Sequence, residues 1–390
     1  MDLFSSPHPL APPTSEGAKR SWLRLLRSRR VGTATFHRLM AEHDSNAEAA
    51  LDALPRIAAA AGIEDYTPCP PEVAEREMAA GRRAGARLLC FGAPGYPVAL
   101  ADLADAPPLL WARGNPGISA HPAIALVGAR NASSLGLRMA RALAGGLGRA
   151  EFAVVSGLAR GIDTAAHEAA LDSGTIAVVA GGVDVIYPRE NAKLTGYIAE
   201  RGLILSEMPP GLQPQARHFP RRNRLISGLA RAVVVVEAAV RSGSLITARD
   251  ALDQGREVMA VPGHPFDARA AGCNLLLRDG ATLVRGAEDI IAALGPASTP
   301  ASGRNAPRNA APTQQKPGMP AASAPKPAAS GEPAPLRSRI LSLLGPAPVA
   351  EDQLLRDLAL PGQRVAEALL ALELDGAIVR QPGGMLARTG

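Results

Sequence analysis

A short basic stretch, residues 217–228, carries the side chains best suited to ligand binding in this chain. It contains four arginines, an aromatic residue and an asparagine: Arg217, Phe219, Arg221, Arg222, Asn223 and Arg224. A planar guanidinium group donates two hydrogen bonds at once and therefore matches phosphate oxygens. An aromatic ring offers a surface on which a base can stack. The stretch indicates a phosphate-binding site, and a solvated basic helix end is the alternative.

The local pattern predicts that these side chains lie on a helix beside a buried strand. Pro220 suits the first turn of a helix, where its missing N–H costs nothing. Arg221 and Arg224 would then lie three residues apart on one helical face. The apolar run 232–236 follows almost at once and is typical of a buried strand. We therefore expect the arginines at the edge of a core rather than on a free tail.

From residue 124 to residue 284, strand-like apolar runs alternate with helical stretches. This alternation predicts right-handed βαβ units and an extended Rossmann-like, doubly wound α/β fold with a mostly parallel sheet. Ligands of such sheets bind at the carboxyl ends of the strands, where the strand order reverses.

The loops that follow the predicted strands are rich in glycines, hydroxyls and arginines. Glycines let a phosphate approach the backbone, and helix N-termini behind them offer free N–H groups. Singly, each loop is typical of ordinary turn chemistry, but five of them at one crevice predict a phosphate-binding surface. The candidate residues are Gly128, Arg130, Ser156, Gly157, Arg160, Gly161, Arg217, Phe219, Arg221, Asn223, Arg224, Ser242, Gly243 and Thr247.

The motifs of nucleotide-dependent enzymes are absent from the sequence. Arg130 stands where a dinucleotide fingerprint needs a glycine, and there is no GxxxxGK[ST] run. Asp163 directly follows Gly161-Ile162 and is interpreted as a helix cap or an arginine partner. No Ser–His–Asp order and no metal-ligand spacing is present. We therefore predict no catalytic residue, no metal site and no cofactor.

Composition restricts the class of protein. The net charge of +6 and the pI of about 9.6 mildly favour acidic partners such as nucleic acid. Three cysteines, Cys69, Cys90 and Cys273, lie far apart and fit a reducing compartment. The N-terminus does not have the pattern of a signal peptide, and no apolar run approaches the length of a membrane span. The sequence predicts a cytoplasmic protein without a membrane partner.

Changes in composition suggest five segments. Residue 32 is a glycine that could turn one helix into the next, as in DNA-binding helix-hairpin-helix modules, or could form a purely structural turn. A C-terminal winged helix would contact either DNA or a protein. The segments are a disordered N-terminus (1–17), a small helical domain (18–84), the Rossmann-like core (85–295), an Ala/Pro-rich linker (296–335) and the winged helix (336–390).

Four motifs in this order resemble the DNA-processing protein A (DprA, or Smf) family. They are SGLARGID at 156–163, GVD at 182–184 with Tyr187-Pro188, FPRRNRLISG at 219–228 and SGSLITA at 242–248. The resemblance covers residues 85–292. It extends to the N-terminal region, which is similar to the family's sterile-alpha-motif-like or helix-hairpin-helix module, and to the C-terminal winged helix.

The resemblance implies a protein that acts by binding rather than by catalysis. Family members bind incoming single-stranded DNA, protect it from nucleases and load the RecA recombinase during natural transformation, and they dimerise through the Rossmann core. By position, Arg130 and the loop 219–224 fall on the family's DNA pocket. The family commonly has a lysine shortly before the Phe-Pro pair, and Arg217 is the candidate to replace it. Ala129 stands where a serine is common, which removes one hydroxyl.

Two other functions remain open. The core is also similar to phosphoribohydrolase-type Rossmann enzymes, which would need a carboxylate at the crevice and a PGGxGT-like loop. This chain has Ser242-Gly243-Ser244 instead. The other alternative is a scaffold that uses the linker and the winged helix to contact partners.

Overall fold

The N-terminal part of the protein is a bundle of four helices. A computed structural model describes residues 10–295, 336–344, 349–358, 362–381 and 385–388. The bundle buries Trp22, Phe36, Leu39 and Leu54 in one apolar cluster. Its helices are α1 (Glu16–Arg27), α2 (Thr33–Glu42), α3 (Ala47–Ala60) and α4 (Pro71–Arg83).

Helix α1 begins inside the stretch that the sequence predicted to be disordered. The side chain of Ser15 accepts a hydrogen bond from the backbone N–H of Ala18 at 3.1 Å, and this cap starts the helix at Glu16. Just before it, the backbone N–H of Ala11 donates to Ser45 Oγ at 3.3 Å. The predicted disorder is therefore wrong for Glu16 and Gly17. Residues 1–9 and the predicted linker, 296–335, lie outside the described residues.

A nine-stranded sheet forms the centre of the protein, in the order β1-β2-β6-β5-β4-β3-β7-β8-β9. The seven strands from β6 to β9 in that order are parallel, whereas β2 runs antiparallel to β6 and to β1. The predicted mostly parallel sheet is confirmed. The strands are β1 (Arg87–Cys90), β2 (Leu109–Gly114), β3 (Ala123–Gly128), β4 (Ala153–Ser156), β5 (Thr175–Val178), β6 (Leu203–Ser206), β7 (Ala232–Glu237), β8 (Glu257–Ala260) and β9 (Thr282–Leu283).

Helices cover both faces of this sheet, as a doubly wound fold requires. One apolar layer joins Leu225 and Ala248 to Val155 and Val233, and the other joins Leu143 and Ile162 to strand residues of the opposite face. The helices are α5 (Val98–Ala101), α6 (Ser134–Arg149), α7 (Ile162–Ala170), α8 (Ala192–Arg201), α9 (His218–Leu229), α10 (Ser244–Asp253), α11 (Ala271–Arg278) and α12 (Ala287–Leu294).

The strand order reverses between β3 and β7. From β3 the chain passes to β4, β5 and β6 on one side, and it then returns to β7 on the other side of β3. The loops that leave β3 and β7 therefore diverge to opposite faces and open a crevice at the carboxyl ends of these strands.

A buried carboxylate connects the helical bundle to the sheet. Glu77 on α4 accepts hydrogen bonds from Arg27 Nε at 2.9 Å and Arg27 Nη2 at 2.8 Å, and from Trp111 Nε1 at 2.9 Å. Arg27 also donates to the carbonyl oxygen of Glu207 at 3.1 Å. Because α1, α4, β2 and the end of β6 share this network, the bundle is fixed against the antiparallel end of the sheet.

The C-terminal part has three helices and a three-stranded antiparallel sheet, which confirms the predicted winged helix. Its apolar cluster includes Ile340, Leu354, Leu369 and Leu386. Its elements are α13 (Leu336–Leu343), β10 (Val349–Ala350), α14 (Glu351–Leu358), α15 (Gly362–Leu374), β11 (Ile378–Gln381) and β12 (Met385–Arg388), with the sheet order β10-β12-β11. Throughout the described ranges, no helix has the length and apolar character needed to span a bilayer.

Candidate nucleic-acid interface

Helix α9 places the basic stretch at the carboxyl ends of the parallel strands. The helix begins at His218, with Arg217 at the N-cap and Pro220 in the first turn, as the sequence predicted. It packs against α10 and against β3, β4 and β5. Its first turn therefore lies beside the loops that follow β4 and β5.

Arg222 is the arginine that fixes α9 to those loops. Its side chain is buried, and Nη1 donates to the carbonyl oxygens of Gly157 and Val178, both at 2.5 Å. Burial lowers the pKa of Arg222 to about 10, against the attraction of nearby Asp163. Sequence reasoning did not select this residue, although its position within the arginine stretch was a signal.

The glycine loop after β4 is shaped by this buried arginine. A Cβ atom on Gly157 would lie 2.2 Å from Arg222 Nη1, so this position has room for no side chain. Asp163 accepts hydrogen bonds from the backbone N–H groups of Gly157 at 3.1 Å and Ala159 at 3.3 Å. Burial raises the pKa of Asp163, whereas the charge of Arg222 and these two N–H groups lower it. Asp163 thus closes the loop, in agreement with the expected role as a cap or an arginine partner.

Phe219 lies at the centre of a partly exposed aromatic and basic cluster. The guanidinium carbon of Arg130 is 5.4 Å from the centre of the Phe219 ring, and that of Arg222 is 5.9 Å away. The Tyr187 ring is 5.7 Å from the same centre, tilted by 53°, and 46% of Tyr187 is exposed. We call Arg130, Tyr187, Phe219 and Arg222 the Phe219 cluster. Tyr187 was quoted in the sequence only as part of a motif and was not predicted as a site residue.

Arg130 of the Phe219 cluster is exposed, and so are three other predicted arginines, Arg160, Arg217 and Arg221. Gly161 has a φ of 77°, and a Cβ atom there would lie 2.2 Å from the carbonyl oxygen of Ala129, so the loops of Arg130 and Arg160 touch. His218 lies between Arg217 and Arg221 in the sequence. Its pKa is lowered mainly by burial and also by the charges of these two arginines. Arg160 Nη1 also lies 3.6 Å from Glu190 Oε1. Among the described residues, the unpaired positive charge at the rim is therefore supplied by Arg130, Arg217 and Arg221.

A small cavity opens beside this cluster. It is lined by Gly157, Gly181, Tyr187, Phe219 and Arg222, among others, and has a volume of about 10 Å³. That is room for one water-sized group. Arg222, one of the lining residues, has a buried Nε without a hydrogen-bond partner among the described residues. A ligand oxygen could enter here, but a base or a sugar could not.

The structure corrects the expectation for Arg224. Only 9% of its side chain is exposed, and Nη2 is 2.5 Å from Glu207 Oε1. Nη1 is 3.2 Å from Asp105 Oδ2 and 2.8 Å from the carbonyl oxygen of Asp105. The guanidinium group is already bound by protein groups, so it is not presented to the crevice with Arg221. The two arginines diverge because α9 is packed on both flanks near Arg224 and is open to solvent at Arg221.

The remaining predicted site residues do not all meet at the cluster. Ser156 is fully buried and donates to the carbonyl oxygen of Leu126 at 2.6 Å, so its hydroxyl is not at the crevice. Asn223 is half-buried on α9, and Gly128 ends β3. Ser242, Gly243 and Thr247 belong to the loop and helix after β7, on the other side of β3, and Thr247 is buried.

The strand-end acids are bound by protein groups. Glu237 accepts hydrogen bonds from Ser133 N at 2.9 Å and Ser133 Oγ at 2.5 Å, and it thereby anchors the start of α6. Glu207 binds Arg224, as described above. His167 is buried, with Nδ1 2.7 Å from Thr175 Oγ1, and burial lowers its pKa to about 3. Within the described residues, no group of three or more His, Cys, Asp or Glu side chains is arranged to hold a metal ion.

Comparison with known proteins gives matches over all three parts of the chain. A family model described as DNA recombination-mediator protein A matches residues 87–295. Models described as the DprA-like N-terminal HHH domain and the DprA winged helix domain match residues 16–80 and 324–384. The chain is similar to DNA processing protein DprA of Streptococcus pneumoniae, with 48% identity over 199 residues, which is 50% of this chain and 70% of the relative.

Two solved structures have a similar fold. The X-ray structure of DNA processing protein A from Streptococcus pneumoniae gives a TM-score of 0.57 at 36% identity, over 70% of this chain and 95% of that one. DNA processing protein A from Helicobacter pylori, whose structure was described for its single-stranded DNA binding mode, gives a TM-score of 0.50 at 31% identity. That match covers 54% of this chain and 95% of the other.

We expect Arg224→Ala and Arg221→Ala to differ in stability. Arg224→Ala leaves the Glu207 carboxylate buried without its partner, and such a loss lowers the free energy of unfolding by about 3–5 kcal/mol. Arg221→Ala removes the same charge from an exposed site on the same helix and should change the free energy by less than about 0.5 kcal/mol. Urea unfolding followed by tryptophan fluorescence measures both. Equal stabilities would show that the Arg224 ion pairs do not stabilise the core.

Proposed function

Because the chain belongs to the DNA recombination-mediator protein A family, we propose that it binds single-stranded DNA at the crevice beside α9. The observation that carries this proposal is the Phe219 cluster, in which a partly exposed ring is held against Arg130 at 5.4 Å. Two further exposed arginines of the same stretch, Arg217 and Arg221, and Arg160 on the loop after β4 supply positive charge for the phosphates.

The chemistry of this surface suits a strand of any sequence. Arginine side chains neutralise backbone phosphates without reading bases, and an aromatic face stacks on every base. Arg222 contributes by position, since its two bonds to strand-end carbonyls keep Phe219 in place. The adjacent cavity of about 10 Å³ is too small for a base, so a nucleotide would lie across the surface and not inside it.

Arg130→Ala and Arg221→Ala should each weaken binding to labelled single-stranded DNA and reduce its dependence on salt. Each lost phosphate contact should lower the slope of log affinity against log salt by about 0.7. Phe219→Leu should cost about 1–3 kcal/mol of binding free energy through lost stacking, with the slope unchanged. A salt series with single-stranded and duplex DNA of equal length measures both quantities.

The matched control is Arg149→Ala, which removes one exposed arginine from the last turn of α6, at the amino ends of the parallel strands. It should leave affinity and slope close to those of the unmodified protein. Unchanged affinity in a folded Arg130→Ala/Arg221→Ala double variant would reject the site.

We propose that the crevice acts by binding and not by catalysis. In the described part of the chain, the acids near the strand ends are engaged: Asp163 by two backbone N–H groups, Glu207 by Arg224 and Glu237 by Ser133. These three acids are held by protein groups, which does not favour a role as the general base that a phosphoribohydrolase-like enzyme needs. Release of free base from nucleoside monophosphates by the purified protein would instead support the enzyme hypothesis.

We further propose that the bound strand is protected from nucleases and passed to the RecA recombinase, which places the protein in the cytoplasm. Family membership supports this step. The protein should accelerate RecA assembly on DNA already coated with a single-strand-binding protein, and the Arg130→Ala/Arg221→Ala variant should not. If the unmodified protein binds the strand but leaves the RecA assembly rate unchanged, the loading role is wrong.

We propose that the core forms a homodimer through the β7–β9 half of the sheet and helix α10, which packs on β7 and β8. The strand β9 is an edge strand and exposes 46% of Leu283, and α10 exposes 60% of Leu252 and 43% of Ile246. Exposed apolar side chains at an open sheet edge favour association. Sedimentation should give a dimer, and Leu252→Arg should shift it toward monomer. Val98→Arg, at an equally exposed position on α5, is the control and should remain dimeric.

A further inference from the structure

The winged helix lies against the N-terminal helical bundle through a network of charged groups. Arg38 on α2 donates from Nη1 to the carbonyl oxygen of Ala366 at 3.2 Å, and its Nη2 is 3.9 Å from Glu373 Oε2. Arg30, in the turn between α1 and α2, has Nη1 3.8 Å from Asp375 Oδ1. The contact therefore joins the first helical hairpin of the chain to the end of α15.

The winged helix also donates hydrogen bonds to this network. Arg337 on α13 donates to the carbonyl oxygen of Ala61, at the end of α3, at 2.9 Å, and it also pairs with Asp375. Asp375 is thus shared between Arg30 of the bundle and Arg337 of its own domain. Glu373 is shared in the same way between Arg38 and Arg380, the latter at 2.9 Å.

This contact includes charged groups that are partly exposed to solvent. Among the described residues, the apolar cluster of the bundle and that of the winged helix have no member in common. The side chains of Arg30 and Asp375 are 35% and 34% exposed. The Arg30–Asp375 pair is therefore screened by salt and open to exchange, whereas the Arg38–Glu373 pair, with side chains 20% and 9% exposed, is more protected.

We propose that the winged helix is an acidic latch, which covers the arginine face of the N-terminal bundle and is displaced by a nucleic-acid backbone. Carboxylate and phosphate oxygens compete for the same guanidinium groups. Phosphates that bind Arg30 and Arg38 therefore remove the partners of Asp375 and Glu373. The latch rests on the proposed function only for the identity of the competing anion, a nucleic-acid backbone. Its release by salt does not depend on that function.

The two parts are joined by a long stretch of chain. The segment 296–335 joins the core to the winged helix, and a chain of that length can reach on the order of 100 Å when extended. Release from the bundle would leave the winged helix attached and able to rebind. Release of the winged helix from the bundle would thus be reversible, and its extent would depend on the concentration of competing anions.

The test uses the full-length protein with one dye on each side of the contact. Ala41→Cys on α2 and Gln381→Cys on β11 provide exposed thiols. The three native cysteines are buried, and burial raises the pKa values of Cys90 and Cys273 to about 12, so they react slowly. We expect high energy transfer at low salt, and a fall by roughly half between about 0.05 and 0.5 M salt. Added single-stranded DNA should lower the transfer at low salt.

Four charge variants attribute the signal to the latch. Asp375→Asn should lower the transfer at low salt, whereas Glu72→Gln, which removes one exposed negative charge at the start of α4, should not. Arg38→Glu should also lower it, and the charge-swapped Arg38→Glu/Glu373→Arg protein should recover it. If Glu373→Arg unfolds the winged helix, the Asp375→Asn variant still tests the latch, because the side chain of Asp375 is partly exposed.

The outcomes separate the latch from the crevice. Equal transfer in Asp375→Asn and the unmodified protein overturns the latch, as does transfer that salt does not change. Opening by salt without opening by DNA overturns displacement by nucleic acid. In the Arg130→Ala/Arg221→Ala background, salt should still open the contact even if the crevice no longer binds DNA. A failure of the proposed function therefore leaves the latch measurable.

Discussion

One buried guanidinium group, that of Arg222, determines the geometry of the crevice. A buried cation is costly unless its hydrogen bonds are satisfied and an opposite charge is near. Arg222 meets this condition only where the carbonyl oxygens of Gly157 and Val178 converge and Asp163 lies close by. The first turn of α9 is thereby held across the ends of β4 and β5. The exposure of Phe219 and the direction of Arg221 follow from that position.

The four arginines of one short stretch have two different functions. Arg222 and Arg224 are buried and bind protein groups, whereas Arg217 and Arg221 are exposed. Residues three apart share a helical face, so periodicity alone would group Arg221 with Arg224. The contacts of Arg224 with Asp105 and Glu207 separate the two side chains. The buried pair fixes the helix, and the exposed pair keeps its charge available for a ligand.

The sequence predicted the architecture well because the architecture depends on local patterns. The alternation of apolar strands and helices is enough for a doubly wound sheet, and it places the arginine stretch at the strand ends. The sequence pattern could not distinguish the buried Arg224 from the exposed Arg221. Their difference in burial depends on Glu207 and Asp105, which come from other parts of the chain. Gly157 was predicted for close approach of a phosphate. A glycine signature does not distinguish a ligand from a buried side chain, and here the approaching group is Arg222.

Burial separates the charged contacts of this protein into fixed and exchangeable ones. Glu77 is buried between Arg27 and Trp111, so neither salt nor a ligand can replace its partners without opening the core. Asp375 is about one-third exposed between Arg30 and Arg337, where water and anions can reach it. Both carboxylates join separate parts of the chain, yet only the second contact can exchange under native conditions. The proposed binding crevice depends on contacts of the first kind and the proposed latch on contacts of the second, and the burial of the carboxylate is the difference between them.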